Sequence, residues 1–358
     1  MKGRMLKNAD ILGGRYEIVG WLGEGGMQQV YRANDQLLSR EVALKIPKDA
    51  AAEKRFKRSA IVSARVNHNN VAKTLDYFEE DGRPFLIEEL IEGCDLSDIT
   101  KNVVPYLPPQ AAARVLHQLA KGLHASHNAG VVHRDLKPSN VMVVGAEKLE
   151  LIKITDFGIA KMAEEELAGW AAGEDKTAAT SSKTVLGAIP YMAPESINSF
   201  REAGMPADIW AIGAIVYELM SGKKPFGQGL AAVPSILSGK SPSRPSQIEN
   251  PQFKSLGDQL YEVILKCLVV DISNRPEAGD LVAECEELCY TRDLYELGAV
   301  KVVKYPQYGF LVSDEHGDAF YHRENFYGDN AVQEGSRVWF ARHEGGGNDR
   351  AFPIVKAK

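Results

Sequence analysis

Apolar and polar residues alternate along Tyr16–Gly23 (YEIVGWLG), Gln29–Asp35 (QVYRAND) and Glu41–Ile46 (EVALKI), with Gly-rich or polar turns between the runs. A period of two predicts half-buried strands, so these segments are expected to pair antiparallel. Ala51–Val66 carries helical spacing, and a second strand pair is predicted at Ala72–Phe78 and Phe85–Leu90. The first part of the chain thus reads as a sheet with one helix. From Pro108 onward the apolar positions recur at three and four residues, over 110–127, 207–222, 255–270 and 278–290, and predict a helical unit. Beyond Tyr290 the pattern changes again to short runs (AVKVV, YGFLVS, DAFYH, RVWFAR) punctuated by Gly, Asn and Asp, which predict a small all-β module.

The length of 358 residues fits two domains, one of them large. With 44% hydrophobic and 25% charged residues, the chain can bury a core and lacks the composition of a disordered protein. Forty-two basic against 48 acidic residues give a net charge of −6, which argues against a non-specific, phosphate-driven nucleic-acid binder. The cysteines, Cys94, Cys267, Cys285 and Cys289, show no CxxC spacing, and only the last two are close, at the i, i+4 spacing of one helical face. Reduced, buried thiols are expected rather than zinc or a disulfide framework. The longest apolar stretch, Trp210–Met220, is too short to span a bilayer, and the N-terminal MKGRMLKNAD has no apolar signal region. A cytoplasmic protein with no membrane partner is expected.

Candidate chemistry starts at Gly23-Glu-Gly-Gly-Met-Gln-Gln-Val30, a Gly-rich turn between two predicted strands. Backbone N–H groups unobstructed by Cβ atoms can approach a polyphosphate there, although such a turn can equally be a plain hairpin. Its context separates the two readings. Lys45 follows Val30 by fifteen residues in VALK, and HRDLKPSN (133–140), DFG (156–158) and APE (193–195) come after it in that order.

This set resembles the eukaryotic-like Ser/Thr protein kinases, in their compact bacterial form, over roughly residues 11–290. The resemblance implies a bilobal α+β fold, with a β-rich N-lobe at about 11–92 and a helical C-lobe at about 93–290, working on ATP and Mg²⁺. It implies that Lys45 holds the α- and β-phosphates and that Asp135 orients the substrate hydroxyl or accepts its proton. Lys137 would add charge at the transferring group, and Asn140 and Asp156 would hold Mg²⁺. Phosphoryl transfer needs charge neutralisation and in-line positioning more than covalent chemistry, so oxygen ligands for a hard cation and one fixed ammonium suffice in outline. Gly23, Gly25 and Gly26 match the phosphate cradle, while Leu22, Val30, Ala43 and Met142 match the apolar walls of the adenine slot. Glu89 and Ile91 match the hinge that offers backbone hydrogen bonds. Asp208, Trp210, Glu195 and Arg275 match scaffold positions, and His117, His124 and His127 read as core or capping residues.

The segment from Asp156 to Glu195 carries Thr177, Thr180, Ser181, Ser182 and Thr184. In the resembling family such a loop is ordered when phosphate on it pairs with the Arg of HRD, here Arg134. This points to autophosphorylation at Thr180 and Ser182 foremost, with Thr184, against a plain solvated loop. Three positions depart from the pattern. Ser59 stands where a helix Glu would pair with Lys45, Ala188 replaces a Thr expected near Asp135 and Lys137, and the residue before the hinge is Glu88 instead of an apolar one. A carboxylate at 88 could replace the missing partner of Lys45, or be protonated or turned to solvent. These departures keep a non-catalytic nucleotide- or partner-binding scaffold open beside the enzyme.

Residues 296–358 resemble a cold-shock domain, a five-stranded OB-type barrel. Gly298–Lys301 matches its opening strand, Tyr308-Gly-Phe-Leu311 and Ala319-Phe-Tyr-His322 its two nucleic-acid motifs, and Glu334-Gly335 with Arg337–Phe340 its later turn and strand. Pro306-Gln307 and Val302 depart from the usual Lys-Gly and Trp. The resemblance implies that Tyr308, Phe310, Phe320 and His322 stack on bases of single-stranded RNA or DNA. Nine basic against ten acidic residues from Arg292 onward leave no electrostatic funnel, so the face could equally dock on the kinase lobe or on a partner protein.

Overall fold

The five alternating segments, joined by a two-residue strand that the pattern does not mark, form one six-stranded antiparallel sheet. Its strands, β1 (Ile11–Leu12), β2 (Tyr16–Glu24), β3 (Gln28–Asp35), β4 (Arg40–Pro47), β5 (Thr74–Glu80) and β6 (Arg83–Glu89), lie in the order β1-β2-β3-β4-β6-β5. The structure, a computed structural model, describes residues 3–25, 28–48, 56–57, 60–157, 186–199 and 203–358. Because side chains alternate across a strand, Val42, Leu44 and Ile46 of β4 pack with Tyr16, Ile18 and Tyr31 on one face. Lys45 and Ala43 point to the other, where Leu86 packs with Phe56 and Ala60. Much of the helix expected over 51–66, Ser59 included, lies outside the described residues.

Among the described residues, four long helices carry the second lobe: α1 (Pro109–Asn128), α2 (Met205–Ser221), α3 (Pro251–Cys267) and α4 (Ala278–Glu287). Helix α2 is apolar nearly all round and buried on almost every side, so it takes the centre of the lobe. Its last four carbonyls are all met. Those of Glu218 and Leu219 accept from the amides of Gly222 and Leu107, that of Met220 from the Tyr327 hydroxyl, and that of Ser221 from the Gln247 amide. Gly222 takes the left-handed conformation (φ 70°) that ends the helix. A three-stranded sheet, β7 (Gly93–Asp95), β8 (Val141–Val144) and β9 (Leu151–Ile154), escapes the sequence pattern because its strands are three or four residues long.

The tail is a closed five-stranded barrel, β10 (Tyr295–Tyr305), β11 (Tyr308–Ser313), β12 (Asp318–His322), β13 (Arg337–His343) and β14 (Asp349–Lys356), in the order β10-β11-β12-β14-β13. Pro353 hides the fifth strand from sequence patterning, and it sits where the β13–β14 register slips between Phe340 and Arg342. The barrel does not hang free. Trp339 and Tyr327 are fully buried in the helical lobe's own core. The Trp339 indole donates to the Glu147 carbonyl at 2.6 Å, and the Tyr327 ring meets Tyr106 and Phe253 edge-on at 5.5 and 5.2 Å. Phe352 stacks on Phe253, and the Lys358 ammonium donates to the Thr100 carbonyl at 2.6 Å.

Two cysteine expectations change. Cys267 and Cys285 are buried, but Cys94 is only half-buried and Cys289 is exposed. Helix α4 stops at Glu287 and Leu288 is extended, so Cys285 and Cys289 do not share a helical face. Among the described residues no helix is long and apolar enough to cross a membrane.

Candidate active site

Lys45 and Glu88 meet because of sheet register. Ala43 lies opposite Glu88 and Lys45 opposite Leu86, so Lys45 and Glu88 are diagonal neighbours on one face, within reach of two long side chains. The Lys45 ammonium lies 2.6 Å from Glu88 Oε2 and 2.7 Å from Asp156 Oδ1. Asp156 follows β9 in a left-handed turn (φ 62°), and its Oδ1 also accepts from the Gln28 amide at 2.8 Å. Burial alone would lower the Lys45 ammonium, but the two carboxylates outweigh it and hold it above its ordinary value. Burial likewise would raise Asp156, yet Lys45 and the Gln28 hydrogen bond keep it below the usual carboxylate range. Glu88, the deeper of the two, is pushed up by burial despite Lys45.

A second cluster sits in the turn after α1. Asp208, in the first turn of α2, accepts from the amides of His133 and Arg134 at 2.8 Å each and from His127 Nε2 at 3.0 Å. These bonds offset the left-handed Arg134 (φ 68°), a conformation that costs a non-glycine residue roughly 1–3 kcal/mol. His133 is buried: its Nε2 donates to the Thr155 carbonyl at 2.9 Å and its Nδ1 accepts from the Asp135 amide at 3.2 Å, which fixes one neutral tautomer. The turn then presents Asp135, whose Oδ2 accepts from Lys137 at 2.7 Å and from the Asn140 amide at 3.2 Å. The Asn140 carbonyl accepts from the Thr155 amide at 2.9 Å, which ties this cluster to the residue before Asp156.

The remaining expectations sort by position. Val30 faces Lys45 across β3 and β4, and Gly23 pairs with Val30. Gly25 closes the hairpin through its amide to the Gln28 carbonyl, at 2.9 Å. Ala43 and Met142 lie on β4 and β8, while Leu22 on β2 is half-exposed. Glu89 ends β6 with its side chain held by Lys153 at 2.7 Å, and Ile91 follows it. Glu195 and Arg275 pair at 2.6 Å beneath Trp210. His117 meets Tyr290, and His124 meets Asn128. Gly26, Thr177, Thr180, Ser181, Ser182 and Thr184 lie outside the described residues. Gln28 was missed by sequence reasoning. Its signal was present, since it takes the third glycine's place in the G-x-G-x-x-G-x-V pattern.

On the barrel, Tyr308 pairs with His322 and Phe310 with Phe320 across β11 and β12, on the outer face. Phe320 lies 5.6 Å from Tyr308 and 5.9 Å from Phe310, and Tyr305, unnoticed in the sequence, extends the row with half its surface exposed. Arg350 is the register partner of Phe320 on β14. The wall that meets the helical lobe is a different one, carried by Trp339, Tyr327 and Phe352. Among the described residues, no hydrogen bond, ion pair or ring contact joins Tyr308, Phe310, Phe320 or His322 to the helical lobe.

The protein kinase domain family matches residues 16–285. PknB of Corynebacterium glutamicum is 33% identical over 246 residues, covering 66% of this chain and 36% of that one. The serine/threonine-protein kinase PrkC of Bacillus subtilis is 32% identical over 275 residues, covering 75% and 39%. Among solved structures, Rad53 in complex with AMP-PNP shares the fold at a TM-score of 0.58 and 22% identity, over 75% of this chain and 64% of that one. The chain spans about two-fifths of the length of the curated relatives it matches. With the family matching three-quarters of its length, from the first long strand to the last long helix, the chain belongs to the protein kinase domain family.

Proposed function

We propose that this chain transfers the γ-phosphoryl group of ATP to Ser or Thr hydroxyls of protein substrates. One observation carries the reading: Asp135, Lys137 and Asn140 form a single hydrogen-bonded unit, joined by backbone to the Asp156–Lys45 pair. In this mechanism Asp135 takes the proton as the substrate oxygen attacks phosphorus and the bond to the ADP oxygen breaks, with Lys137 meeting the negative charge. Lys45 orients the α- and β-phosphates. The donor set suits a hard divalent cation, because Asn140 spends its NH₂ on Asp135, leaving the amide oxygen as the ligand atom beside the Asp156 carboxylate. Mg²⁺ bound there would neutralise phosphate charge.

Autophosphorylation at Thr180, Ser182 or Thr184 belongs to the same reading. Arg134 is exposed, and among the described residues its guanidinium is held through Nε to the Ala203 carbonyl at 3.0 Å, an arrangement suited to a phosphate on that segment. The outer aromatic row of the barrel supports a second activity, the stacking of single-stranded RNA or DNA on Tyr308, Phe310, Phe320 and His322. Incubation of the chain and its Asp135→Asn variant with radiolabelled ATP, Mg²⁺ and a generic basic protein tests the transferase. Label on the wild type alone is expected. Equal label on both, or none on either, overturns it in favour of a nucleotide-binding scaffold.

A further inference from the structure

We infer that Glu88, from strand β6, is the positioning residue that aims the Lys45 ammonium at the nucleotide phosphates, a role that Ser59 has no carboxylate to perform. The inference rests on the phosphoryl-transfer reading above and names how that site is held. Its first support is register. The β4–β6 pairing presets both side chains on one face, so the 2.6 Å contact is fixed by the sheet and not by a loop. Its second support is burial, since each residue is only 6% exposed and an unpaired charge at such depth would be costly.

The other carboxylate on Lys45 cannot do this alone. Asp156 is carried by a turn, shares its Oδ1 between Lys45 and Gln28, and is the residue proposed to hold the metal. When a cation draws on Asp156, Lys45 needs a partner that stays. Glu88 is anchored at the end of β6 that pairs with both β4 and β5. An ammonium carries three N–H donors, so with Glu88 and Asp156 taking one each, one remains for a phosphate oxygen. Gln28 completes the arrangement from above by holding Asp156 through its amide.

The test uses the full chain and two readouts: kcat/KM for ATP in phosphoryl transfer, and MgADP affinity by titration calorimetry. Glu88→Met is expected to lower kcat/KM about 10- to 100-fold and to weaken MgADP several-fold, and Ser59→Glu in that background should recover part of both. The isosteric Glu88→Gln, which keeps shape and loses charge, should behave like Glu88→Met and carries the test if the Met variant does not fold. Wild-type kcat/KM and MgADP affinity in both Glu88 variants would overturn the proposal, as would losses that Ser59→Glu leaves untouched. If the wild type transfers no phosphate above Asp135→Asn, the kinase reading fails, and the MgADP arm alone then decides whether Glu88 positions Lys45.

Discussion

Tyr327 tests whether barrel and helical lobe are one folding unit. Its ring is fully buried between Tyr106 and Phe253, and its hydroxyl donates at 2.9 Å to the Met220 carbonyl, one of the four that close α2. Tyr327→Phe keeps the ring and leaves that carbonyl unpaired, a cost of about 1–3 kcal/mol. Tyr327→Ala also empties the space of a large aromatic, and such truncations cost about 3–5 kcal/mol. With an unfolding entropy of roughly 2.1 cal/mol/K per residue, a single unit of 358 residues shifts by about 1.3 °C per kcal/mol, so the Ala variant should melt about 4–7 °C lower. The Phe variant should fall between it and the wild type.

Differential scanning calorimetry on the full chain reads this directly. A single wild-type transition that moves as a whole in Tyr327→Ala is expected, because the Trp339 and Tyr327 contacts join the two cores. A matched Tyr305→Ala, at a half-exposed ring, should shift the melt by no more than surface substitutions do, about 0.5 kcal/mol. Two separate wild-type transitions, with only the lower one moved by Tyr327→Ala, would refute the reasoning and leave the barrel a tethered module.

Two further outcomes are expected. Burial alone would raise Glu296, but hydrogen bonds from Ser313, His316 and Arg342 outweigh it and hold the carboxylate below its ordinary value. The stability it contributes is therefore present above the ordinary Glu pKa and is lost as pH falls through the depressed one. The melting temperature should drop on acidification below about pH 4.5, and Glu296→Gln should flatten that slope; parallel slopes would remove the claim. On the barrel's outer face, stacking is worth roughly 1–3 kcal/mol per base, so Phe320→Ala should weaken single-stranded RNA or DNA about 5- to 150-fold with a shallow salt dependence. A fluorescence titration on the full chain checks this, and unchanged affinity, or no binding at high micromolar protein, would reassign the face to a protein partner.

The five long strands of the N-lobe sheet and the four long helices were legible because their periods run for six residues or more, long enough to separate two from 3.6; the two-residue β1 was not. Strands β7 to β9 were not, since three or four residues define no period. The Lys45, Asp135, Asn140 and Asp156 cluster was readable as motifs in order, but motifs carry no register. The 2.6 Å contact of Lys45 with Glu88 depends on the offset of β4 against β6, which the sequence permits and does not dictate. The lobe contacts of Tyr327 and Trp339 were invisible for a related reason. On a small barrel every strand has an outer face, and nothing in alternation says which wall is covered by another domain.

Helix α2 connects these features. Near its start, Asp208 accepts from the His133 and Arg134 amides and so shapes the turn that presents Asp135; near its end, Met220 receives the barrel's Tyr327. At 1.5 Å per residue the two points are roughly 18 Å apart along a rigid, almost wholly buried rod. The demands on the two ends differ. The Asp208 end must hold a strained backbone in place, so it uses a charged acceptor with three donors from one turn and its neighbour His127. The Met220 end only has to satisfy a carbonyl that water cannot reach, so a single neutral hydroxyl suffices. The stronger acceptor therefore stands where the proposed phosphoryl transfer requires geometry, and the weaker contact where the fold requires only closure. A barrel closing that end contributes to the kinase lobe's stability without touching the atoms that react.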